Sequence, residues 1–186
     1  VPALLIRPLY AALGPNASAA VFASTPKNTR KVVLATNIAE TSITIPGVRY
    51  VIDSGLVKEK VFSPLTSIET LQVLPISQSS SLQRAGRAGR EAPGECYRLY
   101  TREAFQALET MPVAEIHRTE LSGAVLQLYA MHLDPFTFDW IDPPNQALLQ
   151  EAVLHLAELG AIQSPKDGIQ LTPLGHQLAS LPVTPS

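Results

Sequence analysis

The first part of the chain alternates short apolar runs with segments of helical pattern. Residues 4–6 predict a short strand, and residues 32–35 form an uninterrupted apolar run of strand length. Such a run is typical of a parallel strand buried on both faces of a sheet, and residues 48–53 predict a second buried strand. Residues 94–100 predict a further strand, and helical patterns lie at 16–23 and 102–108. This alternation of strand and helix predicts an α/β fold with a parallel sheet.

The middle and the end of the chain show different patterns. Residues 56–62 and 68–74 each alternate apolar with polar side chains across a connecting turn, which predicts a β-hairpin with one polar face. Beyond residue 108 the pattern becomes mainly helical, with apolar helices at 119–131 and 146–159. Two short strands joined by a turn at 165–168, followed by a last helix, complete a pattern typical of a small winged-helix module.

Hydroxyl and amide side chains are concentrated just after the apolar run at 32–35. They are Thr36, Asn37, Thr41 and Ser42. In open α/β sheets ligands bind at the carboxyl ends of the strands, so this segment is a candidate ligand site. Capping of a following helix is a structural explanation for Thr36 and Asn37, and the pattern alone leaves both explanations open.

Residues 83–90 form a repeat of arginine and small residues, Gln-Arg-Ala-Gly-Arg-Ala-Gly-Arg. The segment predicts a helix on which Gln83, Arg87 and Arg90 share one face. Gly86 and the glycine three residues later would each cost such a helix about 1 kcal/mol relative to alanine. A row of guanidinium groups that binds a polyphosphate would justify that cost. The alternative is a solvated basic helix with incidental small residues.

Composition limits the kinds of site that the chain carries. Hydrophobic residues make up 46% of its 186 residues, and the net charge is −2, so no global basic field marks it as a nucleic-acid binder. The single Cys96 excludes an internal disulfide, and the four histidines lack metal-ligand spacing, so no metal site is predicted. No apolar run approaches the roughly 18 residues of a membrane span. Because the chain opens in mid-strand, we expect it to be a piece of a longer protein.

Two long segments carry a family resemblance. Residues 35–45 resemble motif V, and residues 83–90 resemble motif VI, of the DEAH-box RNA helicases of superfamily 2. The hairpin between them resembles the helicase hairpin of that family, and residues 96–100 and 115–121 match its usual continuation. The resemblance covers essentially the whole chain, and the two motifs stand in the family's order and spacing.

The resemblance implies two domains and an activity. Residues 1–112 would be the second RecA-like domain, a parallel sheet with helices on both faces and a projecting β-hairpin, and residues 113–186 a small winged-helix domain. The implied activity is ATP hydrolysis coupled to 3′ to 5′ RNA translocation, duplex unwinding or RNP remodelling. The Walker A and DEAH motifs do not occur in this sequence, so the chain alone is expected to be inactive. A helicase-derived nucleic-acid-binding or scaffold protein without ATPase activity is the alternative.

The resemblance also implies half of an ATP site. Gln83 matches the glutamine that positions the attacking water, and Arg87 and Arg90 match the arginine fingers on the phosphates. The first arginine of the motif, Arg84, is expected to have a structural role. ATP and Mg²⁺ are the implied cofactors, with the Mg²⁺ ligands coming mainly from a first RecA-like domain. The implied cofactor-binding residues are Phe22, Ser42 and Gly86.

Two of these assignments add to what the pattern predicts. From the pattern alone, Phe22 is expected to pack in the core, whereas by resemblance it aligns with the phenylalanine that stacks on adenine. Ser42 matches the motif V serine that responds to nucleotide state. Many relatives have an acidic residue for the ribose hydroxyls where this chain has Pro46, so that contact is either missing or falls to Arg90 and water.

RNA is the macromolecular partner that the resemblance implies. The residues expected at the RNA backbone are Ala11, through its amide, Thr36, Asn37 and Thr41. A glycine-rich-patch activator protein is a further candidate partner, and no membrane association is expected. The implied location is intracellular, with the nucleus or nucleolus favoured over the cytoplasm.

Overall fold

The computed structural model describes residues 2–63, 65–163 and 168–181. These residues form two compact units. The first comprises residues 2–59 and Val73–Pro112, and the second comprises Lys60–Gln72 and the described residues from Val113 onward. The hairpin tip therefore packs with the second unit, whereas the assignment of residues 1–112 and 113–186 as functional domains stays a prediction.

The secondary structure follows the predicted alternation. Up to residue 112 the elements are β1 (Ala3–Leu9), α1 (Pro15–Phe22), β2 (Thr29–Ala35), α2 (Ile38–Thr41), β3 (Tyr50–Asp53), β4 (Leu56–Ser63), β5 (Ile68–Pro75), α3 (Gln78–Ala85), β6 (Glu95–Arg98) and α4 (Arg102–Gln106). A 3₁₀ turn (Glu115–His117) precedes α5 (Ser122–Ala130), α6 (Gln146–Glu158), β7 (Ile162–Gln163), β8 (Gln170–Leu171) and α7 (Pro173–Ser180). None of the helices in the described ranges is long and apolar enough to cross a membrane.

The first unit contains two pairs of parallel strands. β1 pairs with β2, with Ala3 opposite Thr29, and β3 pairs with β6, with Tyr50 opposite Glu95. The parallel α/β architecture is thus confirmed. Parallel pairing brings the carboxyl ends of β1 and β2 to the same edge, where the polar segment after β2 begins.

The expectation that the strands at residues 32–35 and 48–53 are buried in a sheet is wrong. Leu34 of β2 is 61% exposed, and Ile52 of β3 is 70% exposed. Each strand has a single hydrogen-bonded neighbour among the described residues, so few side chains are available to cover its faces. An apolar run shows that a strand has side chains suited to burial, whereas their actual burial depends on the strands and helices that cover it.

The second unit is built around a helical core. Its buried side chains come from α5, α6, the β7 region and the hairpin residue Phe62. Phe62 also donates its backbone N–H to the carbonyl of Arg118 at 2.8 Å, which fixes the hairpin tip to this unit. β7 and β8 pair antiparallel between α6 and α7, as expected for a winged helix, and most of the predicted turn at 165–168 lies outside the described residues.

Side-chain caps begin two of the helices, α4 and α6, at the starts that the sequence predicts. Thr101 accepts a hydrogen bond from the Ala104 amide at 3.1 Å and begins α4. Asn145 accepts one from the Ala147 amide at 2.9 Å and begins α6. Such caps satisfy amides that the helix itself leaves without partners.

Candidate functional site

The arginine-glycine segment is a short helix followed by tight turns. α3 ends at Ala85, and the amides of Arg87 and Ala88 each bond to the carbonyl three residues earlier, at 3.1 Å. The prediction that Gln83, Arg87 and Arg90 share one helical face is therefore wrong. Glycine destabilises a helix interior, and the helix accordingly ends before Gly86, the first glycine of the segment.

Arg84, the first arginine of the segment, is held in a network of its own. Its Nε lies 2.9 Å from Glu40 Oε2, and its Nη1 lies 2.9 Å from Asp53 Oδ1 and 3.1 Å from the Leu56 carbonyl oxygen. Burial would lower the pKa of Arg84, but the hydrogen bonds to Glu40 and Asp53 outweigh it and raise the pKa. Arg84 is thus a charged structural residue that joins α3 to α2 and β3.

Asp53 is the centre of this network. Its side chain is fully buried, and it accepts hydrogen bonds from Arg84, from the Gly55 amide at 3.0 Å and from the Tyr100 hydroxyl at 2.8 Å. Gly55 has φ +74° and lies so close to the Tyr100 ring that a Cβ would stand 2.7 Å from it. The Tyr100 hydroxyl also lies 2.7 Å from Ser81 Oγ in α3. Three donors satisfy the buried carboxylate, as a buried charge requires.

Sequence reasoning did not identify Glu40, Asp53 and Tyr100 as part of the site. The one signal in the sequence is an aspartate that closes the apolar β3 run, directly before a Ser-Gly break. A charged residue at the end of such a run is rarely buried without a partner. The pattern does not identify that partner, because Arg84 is 31 residues away along the chain.

Arg87 and Arg90 contact α2 and the segment that follows it. Arg87 donates through Nη1 to the Ile43 carbonyl oxygen at 3.2 Å and through Nη2 to the Glu40 carbonyl oxygen. Arg90 donates through Nη1 to Thr44 Oγ1. Burial, and then the neighbouring charge of Arg90, lower the pKa of Arg87. The positive charges of Arg87 and Arg90 are therefore close enough to repel each other. Both arginines bind to residues 40–44, so the arginine-glycine segment meets the polar segment after β2 there.

The four polar residues after β2 present their side chains to solvent. Thr36, Asn37, Thr41 and Ser42 are all exposed. Asn37 occupies the N-cap position of α2 without a side-chain capping bond, so capping by Asn37 is wrong. The Thr36 amide donates to the Leu9 carbonyl at 3.1 Å, and the Thr36 hydroxyl takes no part in this hydrogen bond. Thr41 Oγ1 lies 3.4 Å from Ser42 Oγ, which places the two hydroxyls side by side.

The remaining candidate residues lie on the surface of the first unit. Phe22 ends α1 and is 41% exposed, so the interpretation of Phe22 as a core residue is wrong. Gln83 is exposed on α3, and Ala11 is exposed in the turn after β1. Among the described residues, no hydrogen bond or ion pair joins Phe22 or Ala11 to Arg87. At Gly86 a Cβ would stand 3.4 Å from two carbonyl oxygens, so the chain's own packing does not require glycine there.

Comparison with known proteins places this arrangement in a family. The model of the helicase conserved C-terminal domain matches residues 3–92, and that of the helicase associated domain (HA2), winged-helix, matches residues 152–183. The ATP-dependent RNA helicase DHX33 of Mus musculus is 44% identical over 185 residues, which cover 99% of this chain and 26% of that protein. The chain belongs to the DEAH-box helicases of superfamily 2.

Other DEAH-box proteins match over nearly the same length. The pre-mRNA-splicing factor ATP-dependent RNA helicase DEAH10 of Arabidopsis thaliana is 46% identical over 98% of this chain and 25% of its own length. The crystal structure of the Escherichia coli DEAH/RHA helicase HrpB superposes with a TM-score of 0.86 at 37% identity, over 95% of this chain and 22% of that one. The chain thus spans about a quarter of the length of these relatives and corresponds to their C-terminal helicase region.

The side chains of this DEAH-box region suit a phosphate better than a metal ion. Arg87 uses two of its five N–H donors and Arg90 uses one, so both guanidinium groups keep donors for an anion. Exposed hydroxyls and an exposed aromatic ring lie in the same unit. In the described ranges no group of three or more His, Cys, Asp or Glu side chains is placed to hold a metal ion. The residues present therefore fit the phosphates of a nucleotide and do not by themselves fit Mg²⁺.

Proposed function

We propose that this chain is the second RecA-like domain, residues 1–112, and the winged-helix domain, residues 113–186, of an ATP-dependent RNA helicase. In the longer protein it would supply one wall of the ATP site, with a first RecA-like domain supplying the other. The relatives that match nearly the whole chain are named ATP-dependent RNA helicases, which supports this proposal. The chain alone would not hydrolyse ATP.

The observation that carries the proposal is the position of Arg87 and Arg90. Both guanidinium groups converge on residues 40–44, where the exposed Ser42 lies between the two carbonyls that hold Arg87. Phosphoryl transfer is catalysed largely by positioning and by neutralising charge on the phosphate oxygens. Two fixed cations with unused donors meet that requirement.

Each nucleotide-site residue has one proposed task. Arg87 and Arg90 bind the phosphates, and Gln83 orients the attacking water. Phe22 stacks on the adenine ring, and Ser42 senses the nucleotide. Gly86 lies beside the phosphates, where its small size keeps the loop close to them. ATP supplies the phosphoanhydride bond, and the carboxylates for Mg²⁺ come from the first RecA-like domain.

RNA would be held through its backbone. The proposed donors are the Ala11 amide and the side chains of Thr36, Asn37 and Thr41. Contacts of this kind fix the position of the chain on RNA without reading its sequence. They also need no large basic surface, in agreement with the net charge of −2. Hydrolysis in the longer protein would drive 3′ to 5′ translocation and thereby unwinding or RNP remodelling.

The remaining features define the partners and the location. Pro46 has no side-chain acceptor for the ribose hydroxyls, so we propose that Arg90 and water take over that contact. A glycine-rich-patch protein is the proposed activator. We propose a location inside the cell, with the nucleus or nucleolus favoured, because two relatives are named as pre-mRNA-splicing factors.

The test is alanine substitution of Arg87 or Arg90 in the longer protein that contains both RecA-like domains. RNA-stimulated ATP turnover should fall by about 10³-fold in each variant, because an arginine finger contributes roughly that factor. RNA affinity should change little. Arg102→Ala, which removes an exposed arginine from α4 of the same unit, is the matched control and should keep normal turnover. Near-normal turnover in both test variants would show that Arg87 and Arg90 are not arginine fingers.

A further inference from the structure

One of the two carbonyls that hold Arg87, that of Glu40, belongs to a very short helix, and the other, that of Ile43, follows it by two residues. α2 consists of the four residues Ile38–Thr41, and it has no side-chain capping bond. The amides of Ala39 and Glu40 bond to the carbonyls of Thr36 and Asn37, at 3.2 and 2.9 Å. A single turn is marginal without tertiary support, because the first turn fixes several residues for few hydrogen bonds.

Glu40 supplies that support through its carboxylate. Arg84 binds Glu40 on one side and Asp53 on the other, and the side chains of Arg84 and Glu40 are only 15% and 11% exposed. Asp53 of β3 in turn fixes Arg84, and the Tyr100 hydroxyl donates a hydrogen bond to Asp53. The negative charge of Glu40 also acts on Arg87, where it opposes the lowering of the Arg87 pKa by burial and by Arg90.

We propose that Glu40 is the positioning residue for Arg87. Its side chain anchors α2 to Arg84, and its backbone carbonyl, together with that of Ile43, then receives the Arg87 guanidinium. Asp53 and Tyr100 influence Glu40 indirectly, because they hold Arg84 in place. This inference rests on the proposed role of Arg87 at the phosphates, but the position of Arg87 is measurable without any activity.

The first experiment observes Arg87 directly in the 186-residue chain. NMR of isotope-labelled arginine side chains measures hydrogen exchange at the guanidinium groups in the variant Glu40→Gln, which keeps the shape of the side chain and removes its charge. We expect exchange at Arg87 to accelerate by about fivefold or more, as when one ordinary hydrogen bond is lost. Glu109→Gln is the matched control, because its exposed carboxylate lies in the same unit and has no partner among the described residues.

The result that overturns the proposal is exchange at Arg87 that is the same in Glu40→Gln and Glu109→Gln, in a chain that remains folded. Should Glu40→Gln fail to fold, Tyr100→Phe tests the same series of contacts with the loss of one hydroxyl. Exchange at Arg87 in that variant should be faster than in the control, and unchanged exchange would overturn the proposal in the same way.

A second experiment separates this inference from the proposed function. In the longer protein, Glu40→Gln should lower kcat by about 10- to 100-fold with KM for ATP nearly unchanged, because a small misplacement of a catalytic group has that effect. A purely structural role would change the stability of the protein without this split. If exchange at Arg87 accelerates while ATP turnover stays normal, Glu40 positions Arg87 and the role of Arg87 at the phosphates is wrong.

Discussion

Gly94 offers the sharpest test of the packing around the arginine segment. A Cβ at Gly94 would stand 2.2 Å from the Ala88 carbonyl oxygen and 2.6 Å from the Arg49 carbonyl oxygen. Both neighbours are backbone atoms, which cannot swing aside as the end of a flexible side chain can. Gly94→Ala should therefore displace the turns that carry Arg87 and Arg90.

The expected loss of stability follows from these distances. The Ala88 carbonyl would have to move by about 0.8 Å to reach 3.0 Å from the new Cβ, and overpacking of this kind costs about 1–3 kcal/mol. The Arg49 carbonyl accepts the Glu95 amide at 2.9 Å, and weakening that hydrogen bond adds about 1 kcal/mol. We expect the free energy of unfolding to fall by about 3 kcal/mol.

Urea unfolding followed by circular dichroism measures this loss. With a slope near 2 kcal/mol per molar urea, the midpoint should fall by about 1.5 M. Gly89→Ala is the matched control in the same loop, because no atom lies within 4 Å of a Cβ built there. It should leave stability unchanged or raise it by up to about 1 kcal/mol. Equal midpoints for the two variants would refute the reasoning.

Two other substitutions test single side chains. Phe22→Ala in the longer protein should weaken ATP binding by roughly tenfold, through lost stacking on adenine, with little change in stability because the ring is 41% exposed; unchanged affinity in a calorimetric titration would reject the stacking role. Burial, with a contribution from Asp134, raises the pKa of Tyr129 to about 12, so its protonated hydroxyl favours the folded state fully below about pH 10, and this contribution is lost as the pH rises through 12. The Tyr129 hydroxyl is also buried without a hydrogen-bond partner among the described residues, so Tyr129→Phe should exceed the parent chain in urea midpoint already at neutral pH, by about 1 kcal/mol in stability. The difference should grow further near pH 11–12, and a constant difference at all pH values would contradict the assignment.

The elements of the fold were predictable where the signal is local. Apolar runs marked β1, β2 and β3, and alternation marked the hairpin, because strand patterns repeat every two residues. The starts of α4 and α6 were predicted at residues 102 and 146, and Thr101 and Asn145 cap them, since capping depends on the side chain and on amides two or three residues away. Burial was not predictable from these patterns, because it depends on which elements cover a strand.

The candidate site was predictable as a set of residues but not as a geometry. The motifs named Arg87, Arg90 and Ser42, whereas the helical face predicted for the arginines fails because α3 ends at Ala85. The Asp53–Arg84–Glu40 network joins residues 31 and 44 positions apart, and no periodicity spans such separations. The resemblance separated Arg84 from the two phosphate arginines, but the residues that hold Arg84 were not predictable from the sequence.

The geometry of α2 explains how one short element would serve two ligands. Its carbonyl groups at Glu40 and, just beyond, Ile43 face the arginines, whereas the Thr41 hydroxyl and the Asn37 side chain before it remain exposed. A single turn is too short to bend internally, so a movement of its carbonyls moves its exposed side chains as well. If Arg87 shifts when it binds phosphate, the residues proposed for RNA shift with it. The Glu40–Arg84 ion pair is then the contact that sets how far this turn can move.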